Sequence, residues 1–240
     1  MKRIFLTALT VLLITSPVFA APYGKYDVKR ILVVSDSSSA KRHYGLDLKY
    51  LDTMIADLDG HAGTHPPKFN STEDRQRAET DVRLLAGMFE AITSGPHSNQ
   101  NLELLIRVAR INSIGHNLDI KGSATRADTL FKKALSIAPA NPKVTFHYGV
   151  FLAGTGKAKS SIPYLKKALS GGNAQAGFSL GMTYLAQGDK PKALQYLKAY
   201  KKKAPHDRNV DKIIDSIRGG EKSKAPKNKE SKRKRHGTPK

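Results

Sequence analysis

Apolar residues recur at helical spacing through most of the chain. Leu46, Leu48, Leu51, Met54, Ile55 and Leu58 recur at helical spacing, as a half-buried helix requires. Val82, Leu84, Leu85, Met88, Phe89 and Ile92 form a second stripe, and Ser71-Thr72 followed by Glu73 gives that helix a start signal. GTHPPKFNS between the two reads as a loop. KRILVV, Lys29–Val34, is short enough for a helix or a strand, and a short helix is favoured. From Gln100 a long helical pattern leads into a region where helices are brief and punctuated. FKKALSIAPANP, Phe131–Pro142, stops at two prolines. Pro139 cannot extend the first helix, and Pro142 suits the first turn of the next.

The punctuation is periodic. Gly115, Gly149 and Gly181 are spaced by 34 and 32 residues, and Gly122, Gly156 and Gly188 repeat the same two intervals. A period of this size marks stacked supersecondary units. Each unit reads as two helices. The earlier glycine lets paired helices approach closely, and the later one sits in the turn between them, where positive φ is required. Ala127 and Ala193, with Ser161 at the equivalent place, put a small residue in each second helix. Asp189 before Pro191 is a good cap. Pro163 lies deeper and requires a late helix start at Ser160, or else a kink. Ile213, Ile214 and Ile217 then form the stripe of a capping helix, which Gly219-Gly220 ends.

This pattern resembles the tetratricopeptide repeat. The first unit carries Gly115, Gly122, Ala127, Phe131, Ala134-Leu135 and Pro139. The second carries Tyr148-Gly149, Gly156, Ser161, Leu165 and Ala168-Leu169, and the third Leu180-Gly181, Tyr184, Gly188, Ala193, Leu197 and Pro205. The second unit is short at Ser170–Asn173 and lacks a closing proline, and Tyr200 stands where alanine is usual. The aromatic often found early in the first helix is replaced by Ile111, Thr145 and Gly177, and Phe146 and Phe178, one residue later, are expected to fill that role. The resemblance implies an all-α solenoid of about three helical hairpins, to which the apolar stripes above add an N-terminal helix pair and a C-terminal capping helix. It also implies a concave groove lined by the first helices. Asn112, His116 and Asp119 would come from the first unit, Lys143, Phe146 and Val150 from the second, and Gln175, Phe178 and Met182 from the third. The family's basic clamp for a peptide carboxylate is not visible. The alternative is that Phe146 and Phe178 belong to the core.

The first residues read differently. Lys2 and Arg3 precede an apolar run, Ile4–Ile14, then Ser16-Pro17 and a small residue, Ala20. That order is a secretory signal peptide, and it predicts an exported protein, periplasmic or secreted. The expected division is 1–20 signal, 21–107 helical region, 108–218 repeats and cap, and 219–240 a disordered basic tail.

The absence of cysteine removes thiolate metal sites and cysteine nucleophiles. The net charge is +21, of which the segment from Gly219 to Lys240 carries +7. Lys232, Arg233, Lys234 and Arg235 in that tail are candidates for an anionic polymer or lipid surface. His61 and His65 are interleaved with Gly60 and Gly63 and followed by Pro66-Pro67, which reads as a turn with solvated histidines rather than a metal site. No catalytic motif or phosphate loop is present. The expectation is a non-enzymatic scaffold for a protein or peptide partner, with no cofactor, no metal and no small-molecule substrate. Binding of an anionic polymer or membrane is the alternative.

Overall fold

The computed structural model describes residues 21–36, 42–93 and 101–222. Residues 1–20, with the predicted signal, and 223–240, with Lys232–Arg235, lie outside them. The described residues fall into two compact units: those within Met1–Ser98 and Arg110–Ser123, and those within Asn99–Ala109 and Ala124–Lys240.

The first unit begins with an extended segment and a single 3-10 turn at Val28–Ile31, whose start is capped when the Asp27 side chain accepts from the Lys29 amide. KRILVV therefore divides. Its first residues are helical, and its last open strand β1, Leu32–Asp36, which pairs antiparallel with β2, Arg42–Leu46. The β-branched residues Val33 and Val34 suit the ribbon. Helix α1 spans Leu48–Ala62 and α2 spans Thr72–Thr93. Asp47 caps α1 by accepting from the Tyr50 amide, and Ser71 Oγ accepts from the Asp74 amide at the start of α2. Most of the two predicted sets form the core here: Leu51, Met54, Ile55, Leu58, Val82, Leu85 and Phe89 are all buried, whereas Leu48 is 39% and Leu84 54% exposed and Leu46 belongs to β2.

Helix α3, Leu102–Asn117, contributes its second half to this unit and its first half to the other. The second unit continues with α4 Ser123–Ile137, α5 Pro142–Gly154, α6 Ala158–Ser170, α7 Gln175–Ala186, α8 Lys190–Lys203 and α9 Arg208–Lys222. Consecutive helices pack on one another from α5 to α9, and α5 also touches α7. This is an all-α array of tetratricopeptide-like hairpins.

Glycine geometry accounts for the pairing. A Cβ at Gly149 would lie 2.7 Å from Leu165 Cγ, and one at Gly181 would lie 2.6 Å from Leu197 Cγ. At Gly115, in the first unit, it would lie 2.7 Å from Ser123 Oγ. Only hydrogen fits at these crossings. Gly122, Gly156 and Gly188 have φ of 81°, 78° and 78°, the left-handed region that a turn residue with a Cβ resists. The missing proline of the second unit is replaced by Gly172, φ 92°, beside the Asn173 amide donating to the Ala168 carbonyl. That bond closes the helix end in the way a left-handed cap does.

Three expectations change. Pro163 sits inside α6, which starts at Ala158 after Lys157, so Ser160 is not its cap. The helix forgoes one backbone bond there and places the ring on its exposed side. Second, α9 runs through Gly219-Gly220 to Lys222, so the glycines do not end it. Third, Phe146 and Phe178 do not take the buried position that Thr145 and Gly177 leave without an aromatic. Thr145 is fully buried and its hydroxyl donates to the Asn141 carbonyl at 3.0 Å.

Candidate functional site

Helices α5 and α7 present the candidate surface of the second unit. Lys143, Phe146 and Val150 stand at the same register as Gln175, Phe178 and Met182, each pair 32 residues apart. Asn141 fixes the start of α5, since its side chain accepts from the Lys143 and Val144 amides and Pro142 occupies the first turn. None of the six side chains is fully buried. Phe146, Val150 and Phe178 are half-buried, Lys143 and Gln175 are exposed, and Met182 is 36% exposed.

Phe146, Val150 and Phe178 pack from one side onto the core formed by Leu165, Leu180, Leu197 and Tyr200. Phe178 lies 5.4 Å from the Tyr200 ring. Tyr200 thus uses its unusual bulk to support the phenylalanine, while its hydroxyl donates to Asp207 at 3.1 Å. Asp207 in turn accepts from the Asn209 and Val210 amides at the start of α9. The two phenylalanines are therefore neither wholly core nor wholly free, and each keeps an open side.

Charge is nearly absent from these two helices: Lys143 is the only Lys, Arg, Asp or Glu in α5 and α7. It pairs with Glu103 of α3. The result is an apolar strip with a charged group at one end and the amide Gln175 at the equivalent place on α7.

The candidates in the first unit divide differently. Asn112 is 1% exposed, so it cannot meet a partner and is withdrawn from the surface. Burial on the inner side of α3 is the reason. His116 is half-buried. Asp119 is exposed, has φ 61° and pairs with Arg75 at 3.4 Å. The Ile120 amide donates to the Gly115 carbonyl across it, so Asp119 serves the end of α3 as a left-handed cap residue.

A polar cluster in the first unit was not anticipated. The segment Ala21–Tyr26 is held by side chains from α1 and α2. Asp57 accepts from the Gly24 amide and from the Tyr26 hydroxyl, each at 2.9 Å. Asp74 accepts from the Tyr23 amide, and Asp81 accepts from the Tyr23 hydroxyl at 2.9 Å. His61 is helical and 7% exposed, not a solvated turn residue. Its ring stacks on Phe69 and its two nitrogens face the carbonyls of Asp57 and Ala21 at 2.8 and 2.7 Å. His65, by contrast, is exposed in the loop. Burial pushes the Asp81 carboxyl up, and it also drives the Tyr23 hydroxyl well above its ordinary value, with Asp81 adding to the shift. Tyr26 is pushed up to about 12 by burial and by its bond to Asp57. The available sequence signal was Asp74 and Asp81 seven residues apart on the stripe that also holds Ala78, Val82 and Leu85.

A cleft beside this cluster is lined by Lys25, Tyr26, Glu73, Gln76, Arg77, Thr80 and Asp81. Of its four charged residues, Arg77 pairs with Asp74 and Asp81 accepts from Tyr23. Among the described residues no group of three or more His, Cys, Asp or Glu is arranged to hold a metal.

No family model and no curated protein matches the chain. Among solved structures it is similar to that of TTC0263, a thermophilic TPR protein in Thermus thermophilus. Identity is 18%, coverage is 71% of this chain and 91% of that one, and the TM-score is 0.49. It is also similar to the crystal structure of MamA, at 17% identity, covering 64% and 84% of the two chains with a TM-score of 0.48. A third similar structure is the assembly chaperone of RpL4, Acl4, at 12% identity, 74% and 80% coverage and a TM-score of 0.39. The repeat architecture itself rests on the hairpins and in-phase glycines described above.

Proposed function

We propose that the protein is an interaction scaffold that binds an apolar protein or peptide segment along α5 and α7. The observation carrying this reading is the in-phase strip of Phe146, Val150, Phe178 and Met182 on two adjoining helices that hold one charged residue between them. A half-buried aromatic anchored on one side loses little freedom when its other side is covered, and such anchors dominate interface energies. Met182 adds an adaptable contact. An extended or helical segment with apolar side chains at regular spacing is the fitting partner. The signal-like N-terminus supports a setting outside the cytoplasm, and export is part of the proposal.

The test is capture of partners by crosslinking from the exporting compartment, using the wild type and a Phe146→Ala/Phe178→Ala double variant. The expected outcome is a partner retained in high salt and lost with the double variant. Retention of the same partner by the variant overturns the proposal.

A further inference from the structure

The second unit has another face, and its chemistry is opposite. Between Ala124 and Arg218 the chain holds seventeen Lys and Arg residues against five Asp and no Glu. Most of these acids are engaged locally. Asp128 pairs with Lys132, Asp189 with Lys192 and Asp211 with Lys201, while Asp207 caps α9 and accepts from Tyr200. The cations are not spread evenly. α5 and α7 carry only Lys143, whereas α6 carries Lys159, Lys166 and Lys167, and α8 carries Lys190, Lys192, Lys198, Lys201, Lys202 and Lys203.

The exposed lysines of α6 and α8 lie opposite the buried stripes of the same helices. In α6 the buried residues are Ser161, Leu165 and Ala168, and Lys159, Lys166 and Lys167 are exposed. In α8 they are Ala193, Leu197 and Tyr200, and Lys198, Lys202 and Lys203 are exposed. One position recurs in every hairpin. Lys132, Lys166 and Lys198 each stand five residues after the small residue, Ala127, Ser161 or Ala193. Successive second helices therefore offer a lysine at the same height. No carboxylate among the described residues pairs with Lys159, Lys166, Lys167, Lys198 or Lys202. Holding so many like charges together with few counter-charges costs stability through self-repulsion, which an anionic partner removes.

We propose that this lysine face adsorbs to an anionic phospholipid surface, separately from the strip on α5 and α7. Three features favour lipid over nucleic acid. The cations are distributed over several helices, as a plane of headgroups requires, rather than along one track. They are lysines, which act as point charges, and not the planar arginines that read base edges. The aromatics on these helices are occupied internally, Tyr164 against Tyr148 and Tyr196 against Tyr184, so no ring is presented for base stacking. No large apolar side chain is exposed on α6 or α8, so contact is peripheral and electrostatic. Each lysine near such a surface contributes roughly a fivefold gain in binding.

The experiment is co-sedimentation of the full chain with phosphatidylglycerol vesicles at low ionic strength, with phosphatidylcholine vesicles and duplex DNA of equal total charge as comparisons. The variant is Lys166→Gln/Lys167→Gln/Lys198→Gln/Lys202→Gln, which alters exposed side chains only, and its fold is verified by its melting curve. Salt-sensitive binding to phosphatidylglycerol, at least about tenfold weaker in the variant and unchanged by Phe146→Ala/Phe178→Ala, is the expected result. Indifference of the wild type to lipid charge, undiminished binding by the variant, or tighter binding to DNA than to the vesicles overturns the proposal.

Discussion

Two glycines in ordinary helical conformation show how much a single hydrogen matters. Gly87 is exposed in the middle of α2, and a Cβ there would meet nothing within 4 Å. Gly87→Ala should stabilise the protein by about 0.5–1 kcal/mol, because alanine loses less backbone freedom on folding. At Gly149 the same change drives a methyl group to 2.7 Å from Leu165 Cγ. That residue is fully buried and cannot retreat, so Gly149→Ala should cost about 1–3 kcal/mol. Urea titration of both variants checks the opposite signs. His61 gives a second residue-scale prediction. Burial opposes its charge, but carbonyl acceptors on both ring nitrogens and the nearby Asp57 and Asp74 carboxylates outweigh it, and its pKa is raised above 6.5. Only the imidazolium donates from both nitrogens. Its contribution is therefore complete below pH 6.5, the unfolded value, and is lost as pH rises through the higher folded value. Urea midpoints should fall with rising pH across that window in the wild type and change less in His61→Gln. A wild-type midpoint that climbs through the window contradicts the assignment.

Elements were legible where their signals are local. The in-phase glycines, the Asp189–Pro191 start and the Pro139–Pro142 break depend on backbone rules that act within a few residues, and all appear as expected. What was not legible depends on partners far along the chain. The pairing of β1 with β2 is defined by residues of two separate segments, and the rank of Asp57, Asp74, Asp81 and His61 around Ala21–Tyr26 only exists once α1 and α2 are placed. Asn112 shows the same limit at the candidate surface: register alone put it among the outward residues, and burial removes it. Pro163 tests the element scale directly. It lies on the exposed side of α6, inside a helix whose start has no side-chain cap. Pro163→Ala restores the backbone donor and relieves the ring against the preceding turn. The expected gain is about 1–3 kcal/mol, less than the full proline penalty because proline also restricts the unfolded chain. Thermal melts that show Pro163→Ala to be destabilising mean that the ring packs in a way the helix geometry does not require.

At the scale of the whole molecule, charge separates from apolar surface, and this separation has a consequence for stability. The chain carries a net charge of +21. Ion pairs such as Lys192–Asp189 and Lys201–Asp211 join exposed or half-exposed groups, and pairs of this kind contribute only about 0–1 kcal/mol each. Added salt weakens them, but it also screens repulsion among lysines that outnumber nearby acids. Between Ala124 and Arg218 that imbalance, with the arginines counted, is seventeen to five, so repulsion is the larger of the two opposing effects. The Debye length falls from about 30 Å at 0.01 M to about 8 Å at 0.15 M ionic strength, and lysines on neighbouring helices then cease to feel one another at long range. The melting temperature should therefore rise between those two conditions. The rise should be smaller in Lys166→Gln/Lys167→Gln/Lys198→Gln/Lys202→Gln, which already lacks part of the repulsion and should melt higher than the wild type at low salt. Sodium chloride is the suitable salt, because sulfate also strengthens apolar burial and would raise the melting point for a different reason. A wild type that loses stability as salt is added would mean that its ion pairs outweigh the lysine excess, and the low-salt advantage of the variant would vanish with it.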